Sequence, residues 1–243
     1  MLNICILGQG TLAETTAECA ARHFQVTREP TSYAPDLVWI CYDTPLTADG
    51  ADYSWVYEQI RNALQMFPAL VPFLISSQMP VGTTAQLERM FPARTFAYSP
   101  ENIRVATPIS DFLRQERIVV GYRKTALDKL LLELFTPFTQ KLIVVDPETA
   151  EMVKHALNAY LGMNIAFINE IARVAKVVGA DMAGIEAALL SERRISPEAP
   201  LRAGGPFGKG HLARDLQTLT DLAWQHELYI PLIRSILPSN RFV

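Results

Sequence analysis

Apolar runs of strand length alternate with stretches of helical period along the first 145 residues. Leu2 to Leu7 is the first such run. It breaks at Gly8-Gln9-Gly10-Thr11-Leu12-Ala13, and a helical pattern then continues to about His23. Further strand-length runs stand at Leu37 to Tyr42, Val71 to Ser76, Thr95 to Tyr98, Arg117 to Gly121 and Lys141 to Val145. Helical patterns at about 52 to 66, 83 to 91 and 124 to 136 separate several of them. Alternation of this kind predicts a parallel sheet covered by helices.

The pattern changes after Val145. Asp146-Pro147 supplies an N-cap and a first-turn proline, and the segment to Val178 keeps helical period with one interior glycine, Gly162. A helix of about 32 residues runs about 48 Å, longer than a small domain is wide. Met152, Val153, Leu157, Leu161, Met163, Ile165, Phe167, Ile168, Ile171 and Val174 do not fit one narrow stripe. Such a helix needs partners on several sides, and a two-fold subunit interface, hence a homodimer, is expected. More helices are predicted near 181 to 190, 211 to 225 and 230 to 236. The domain reading is therefore 1–145, a dinucleotide-binding unit, and 146–243, a helical substrate and dimerisation unit.

A strand followed by G-x-G-x-x-A and a helix can cradle a pyrophosphate. The first glycine permits the tight turn, the second lets backbone approach phosphate, and the small third residue lets helix pack on strand. The same turn also serves purely structural strand–helix corners; its place in the first such unit favours a dinucleotide. Gly8, Gln9, Gly10, Thr11 and Leu12 are the residues it would use. The next feature of such a site is an acidic group ending the second strand, and here the chain reads Gln25-Val26-Thr27-Arg28-Glu29-Pro30. Glu29 could accept ribose hydroxyls, Arg28 could receive a 2′-phosphate, or the two could be a solvated charge pair. The cofactor is thus NAD or NADP. So little chain lies between Pro30 and Asp36 that the usual second helix and third strand are expected to be missing, which makes the unit a reduced Rossmann-type sheet.

Composition narrows the classes further. With 243 residues, 49% of them hydrophobic, the chain can bury a full core. Its 22 basic and 25 acidic residues leave no electrostatic footprint for nucleic acid. No apolar run reaches the roughly 18 residues of a membrane span, and MLNICILGQG lacks the basic start and cleavage site of a signal peptide. Cys5, Cys19 and Cys41 sit in or beside apolar segments without metal-ligand spacing, so no metal is expected and they read as buried, reduced thiols of a cytoplasmic protein.

Trp39 to Pro45, Ser77 to Thr84, Tyr98 to Gly121 and Thr149 to Glu170, taken in that order, resemble blocks of UDP-glucose 6-dehydrogenase and related nucleotide-sugar dehydrogenases. Trp39-Ile40-Cys41-Tyr42-Asp43-Thr44-Pro45 is similar to the family's strand and threonine-proline turn beside the cofactor. Ser77 to Thr84, SQMPVGTT, resembles its serine-threonine turn and helix start. Tyr98-Ser99-Pro100-Glu101, with Asp111-Phe112-Leu113 and Arg117 to Gly121, resembles its substrate-side glutamate loop. Thr149 to Lys154, Asn158 and Phe167-Ile168-Asn169-Glu170 form the most specific block. The resemblance implies a helical domain like that of 6-phosphogluconate dehydrogenase and places Tyr42, Thr44, Pro45, Ser77 and Gln78 at the cofactor. It also implies that Lys154 and Asn158, one helical turn apart, stand at the reacting carbon. Lysine can stabilise an alkoxide or act as base; without the resemblance the pair would read as a solvated helix face.

The family's catalytic loop, phenylalanine-glycine-glycine-serine-cysteine followed by lysine-aspartate, here reads Phe207-Gly208-Lys209-Gly210-His211-Leu212-Ala213-Arg214-Asp215. His211 stands at the cysteine, Asp215 is kept, and Arg214 is counted among the cofactor contacts. Phe207 and Gly208 are expected at the substrate. A thiolate adds to the intermediate aldehyde in the family's four-electron oxidation; imidazole is a poor substitute. Gln78 replaces a threonine, Val105 a second glutamate, and the chain ends where family members continue into another α/β domain. The expected activity is one two-electron alcohol–carbonyl step with NAD(P) on a small polar or sugar-like substrate. Lys154 would move the proton, Asn158 would position substrate or water, and Glu101 and Asp215 would support the site. His211 would be a second acid or a substrate contact. The alternative from another class is an inactive descendant that binds a ligand or a partner.

Overall fold

The computed structural model describes residues 1–47, 50–101, 103–104, 106–208 and 210–242; Val105 and Lys209 lie outside the described residues. The chain divides into two compact units, Met1–Lys154 and His155–Val243.

In the first unit the elements run β1 (Asn3–Leu7), α1 (Thr11–Ala20), β2 (Gln25–Thr27), β3 (Leu37–Ile40), β4 (Leu46–Thr47), β5 (Gly50–Ala51), α2 (Tyr53–Met66), β6 (Phe73–Ile75), α3 (Thr83–Met90), β7 (Phe96–Tyr98), α4 (Pro108–Leu113), β8 (Ile118–Tyr122), α5 (Asp128–Phe135) and β9 (Leu142–Val145). Seven strands form one sheet in the order β2-β1-β3-β6-β7-β8-β9, and β4 pairs with β5 in a separate ribbon. The sheet is mostly parallel, but β8 runs antiparallel to β7, with Ala97 opposite Tyr122 and Tyr98 opposite Gly121. The expected parallel sheet is thus present with one antiparallel pairing, where the segment after β7 turns back through the six-residue α4 instead of crossing the sheet as a full βαβ unit. On the other side β2 is the edge strand, and residues 28–36 lead directly to β3 without a helix. The expected loss of one helix and one strand is thereby observed.

Strand alternation builds a core on each face. Ile4, Ile6, Trp39, Leu74, Ala97 and Val120 face one side, where they meet Leu12, Ala13, Cys19 and Ala20 of α1, Phe112 of α4, and Leu131, Leu134 and Phe135 of α5. Cys5, Leu7, Val38, Ile40, Phe73, Ile75, Phe96, Tyr98 and Val119 face the other, under Val56, Ile60, Ala63 and Leu64 of α2 and Leu87 of α3. A period-two pattern covered on both faces reads as unbroken apolar sequence, which explains the strand signal. The three cysteines are buried and free.

The long helix α6 (Pro147–Val178) forms over the predicted range. Asp146 caps it, its Oδ1 accepting from Thr149 N at 2.9 Å. The compact units part within this helix rather than at 145, because Ala150 and Val153 belong to the core of the sheet. The second unit holds the rest of α6 with α7 (Met182–Ser191), α8 (His211–Gln225) and α9 (Pro231–Ser239). Asp181 caps α7 through Ala183 N and Gly184 N. Ala159, Ala166, Ile168 and Ala175 of α6 are buried, as are Leu216, Leu219 and Ala223 of α8 and Ile236 of α9. No helix among the described residues is long and apolar enough to cross a membrane.

Candidate functional site

The glycine turn joins β1 to α1. A Cβ at Gly8 would lie 2.3 Å from Cys41 O, and Gly10, at φ +88°, would place one 2.1 Å from Asp43 Oδ2. Backbone leaves no room for a side chain at Gly8, and at Gly10 the positive φ disfavours one. Small Ala13 is fully buried behind the turn. This is the close-approach backbone that a pyrophosphate requires. Asp43 lies directly against it, its Oδ2 accepting from Thr11 N at 3.1 Å.

Arg28, just beyond β2, donates to Gly8 O at 2.7 Å and to Ala13 O at 3.5 Å, so its guanidinium braces the turn. Glu29 is exposed beside it. Thr44 Oγ1 donates to Gln78 O at 2.6 Å in the interior, tying the loop after β3 to the loop after β6. Tyr42 packs edge-on against Trp55, with ring centroids 5.5 Å apart, and Pro45 O accepts from Asp52 N. Ser77 is buried and its Oγ has no hydrogen-bond partner among the described residues.

Lys154 and Glu101 meet in the same unit. Lys154 Nζ lies 3.5 Å from Glu101 Oε1, and the lysine side chain is 9% exposed. Glu101 Oε2 accepts from Ile103 N at 2.8 Å, which fixes the carboxylate. The lysine in turn stands on a helix anchored by Glu151, a residue given no role in the sequence. Glu151 is fully buried and accepts from Gly82 N at 2.5 Å, Thr84 N at 2.8 Å and Thr84 Oγ1 at 2.7 Å. Its carboxylate thus caps α3 across the fold, where the helix dipole favours negative charge. Burial pushes its pKa up, against these hydrogen bonds.

In the helical unit Asn158, Arg214 and Asp215 come together around a residue that the sequence left unmarked. His155 is fully buried, with Nδ1 3.5 Å from Asp215 Oδ1. Arg214 Nε donates to the same oxygen at 3.0 Å, and Asn158 Nδ2 donates to Asp215 Oδ2. Burial alone would raise the Asp215 pKa, but hydrogen bonding and charge from His155 and Arg214 outweigh it and hold the carboxyl below its usual range. Arg214 is thereby engaged within this cluster. His211 opens α8 and is exposed.

The loop before α8 is clamped by side-chain amides. Asn169 Nδ2 donates to Gly205 O at 3.2 Å while its Oδ1 accepts from Gly204 N at 3.1 Å. Asn240 does the same to Phe207, with Oδ1 accepting from Phe207 N at 3.0 Å and Nδ2 donating to Phe207 O at 2.8 Å. Phe207, expected at the substrate, lines a cleft of about 510 Å³ with Ile165, Leu190, Pro200, Arg202 and Gly205. Gly208 follows it in the same loop. Among the described residues no cluster of histidine, cysteine and carboxylate side chains could hold a metal ion.

Comparison with known proteins agrees with this geometry. Residues 2–139 match the NAD binding domain of the UDP-glucose/GDP-mannose dehydrogenase family, and residues 148–241 match that family's central domain. The chain belongs to the UDP-glucose/GDP-mannose dehydrogenase family, and its N-terminal region is that family's NAD-binding domain. It is 27% identical over 212 residues to a UDP-glucose 6-dehydrogenase of Rickettsia conorii, covering 85% of this chain and 49% of the relative. It is 31% identical over 220 residues to one from Rhizobium meliloti, covering 85% and 50%. The chain thus spans about half the length of these curated relatives. A UDP-glucose dehydrogenase structure from Pyrobaculum islandicum superimposes with a TM-score of 0.86 at 20% identity, over 100% of this chain and 68% of that one.

Proposed function

We propose that this chain carries out an NAD-dependent oxidation of an alcohol to a carbonyl, or its reversal, on a sugar-like substrate, in one two-electron step. The observation that carries this reading is Lys154, almost fully buried beside Glu101 in the unit that also bears the glycine turn. A buried cation held by one carboxylate is placed for proton transfer rather than for solvation.

NAD, when bound, supplies the hydride acceptor. Gly8, Gln9, Gly10, Thr11 and Leu12 would hold its diphosphate, Glu29 its ribose, and Tyr42, Thr44, Pro45, Ser77 and Gln78 the remainder. Arg28 already serves two backbone carbonyls, which supports NAD over NADP. Held as an ammonium by Glu101, Lys154 stabilises the alkoxide as hydride leaves; as the neutral amine, Lys154 Nζ takes the carbinol proton. Asn158 orients substrate or water with its amide steadied by Asp215. Phe207 and Gly208 lie on a loop rigid enough to position a substrate group. His211 serves as a second acid or a substrate contact, and because it stands where the family's resemblance expects cysteine, no thiol in that loop can capture an aldehyde.

We also infer a homodimer and a cytoplasmic location. The first is supported by exposed apolar residues on α6, among them Phe167, Val174, Val177 and Val178. The second is supported by the three buried, unpaired cysteines.

Fluorescence titration with NADH tests the cofactor reading. Saturable binding by the wild type and its loss in Gly10→Asp is the expected result; no binding by the wild type would overturn it.

A further inference from the structure

The first amides of a helix point outward without intrahelical partners, and the helix dipole makes them attractive to an anion. At α1 the cap position is Gly10, which has no side chain and provides no capping hydrogen bond. The acceptor comes instead from a distant part of the chain. Asp43 Oδ2 accepts from Thr11 N at 3.1 Å and stands so close over Gly10 that a Cβ there would approach it to 2.1 Å. This carboxylate is delivered from a fixed strand end: Cys41 before it is fully buried, and Thr44 after it is hydrogen-bonded to Gln78 O.

We propose that Asp43 sets the affinity of the dinucleotide site by acting as a built-in competitor of the diphosphate. The inference rests on the NAD-binding reading and adds to it a residue that works against the ligand. A carboxylate and a phosphate oxygen cannot share one amide donor, and their like charges repel at such separations. The free chain is self-capped, and binding exchanges one anion for another: Asp43 swings off Thr11, and the diphosphate takes its place. The same contact that weakens binding stabilises α1 in the free protein.

Calorimetric titration of the full chain with NAD, ADP and adenosine, repeated on Asp43→Asn and Asp43→Ala, separates the terms. Asparagine keeps the shape and a capping oxygen while removing the charge, so it reports repulsion without endangering the fold. NAD and ADP should bind Asp43→Asn about threefold tighter, the size of an exposed charge effect at a helix terminus. They should bind Asp43→Ala about tenfold tighter. Adenosine, which has no diphosphate, should bind all three alike, and Asp43→Ala should lower the melting temperature of the free protein. Equal or weaker NAD and ADP binding by both variants, beside a wild type that saturates, overturns the role of Asp43 and leaves the cofactor reading standing. An equal gain for adenosine also overturns it, since the effect would then be steric. If none of the three proteins binds NAD, both readings fall.

Discussion

Asn158 donates its side-chain N–H to the carboxylate of Asp215, and both side chains are buried in the helical unit. His155 and Arg214 complete the surroundings of that carboxylate. Asp215→Asn would leave a buried guanidinium without its counter-charge, at a cost of about 3 kcal/mol. Because the folded-state pKa of Asp215 is depressed, its stabilisation is present above the unfolded value near 3.9 and is lost as pH falls through the folded value. Urea unfolding at pH 7 should therefore separate wild type from variant, and the gap should close below about pH 4. A gap that stays constant with pH would contradict the charge assignment.

The two-sided grip of Asn169 on Gly204 and Gly205 should be visible by hydrogen exchange. In Asn169→Ala the Gly204 amide loses its acceptor and should exchange faster, with a global stability loss of about 1–2 kcal/mol. Unchanged exchange across 203–207 would mean that the loop is held by other contacts.

Lys154→Met keeps the bulk of the side chain and removes its charge. Turnover should fall at least about 100-fold, while the NAD dissociation constant stays within about twofold, since Lys154 contacts Glu101 and not the glycine turn. Equal losses in turnover and cofactor binding would show that the lysine supports the fold instead.

Sedimentation at micromolar concentration should give about twice 27.1 kDa. Val177, 85% exposed on α6, is the sharpest probe of that face. Introducing Val174→Glu with Val177→Glu should produce monomers; a wild-type monomer would remove the dimer reading.

Much of this architecture was legible because its elements are long or strongly periodic. The 32-residue α6 and the apolar strands carry their period in their own sequence. Elements without a period were not legible: α4 has six residues, and β4 and β5 have two each. The reversal of β8 depends on how a loop returns, which local propensity does not record. At the site, Lys154, Asn158 and Asp215 were marked by block resemblance. His155 was missed because its partner lies far along the chain and a histidine beside a lysine carries no local signal. Glu151 and Asn169 stood inside the quoted blocks, and a carboxylate and an amide on the largely apolar α6 were the clue to their anchoring roles. Asp43 was likewise in plain view, but its effect depends on the fold bringing β3 beside the first turn of α1.

The central claim is a single hydride transfer in a site where histidine stands in place of the thiol. Its most direct test is the amount of NADH formed per substrate consumed, measured with product analysis across UDP-glucose, GDP-mannose and simple sugar alcohols. One NADH and a carbonyl product are expected. Two NADH with a carboxylic acid product would show that His211 or another group captures the aldehyde, and would contradict that claim.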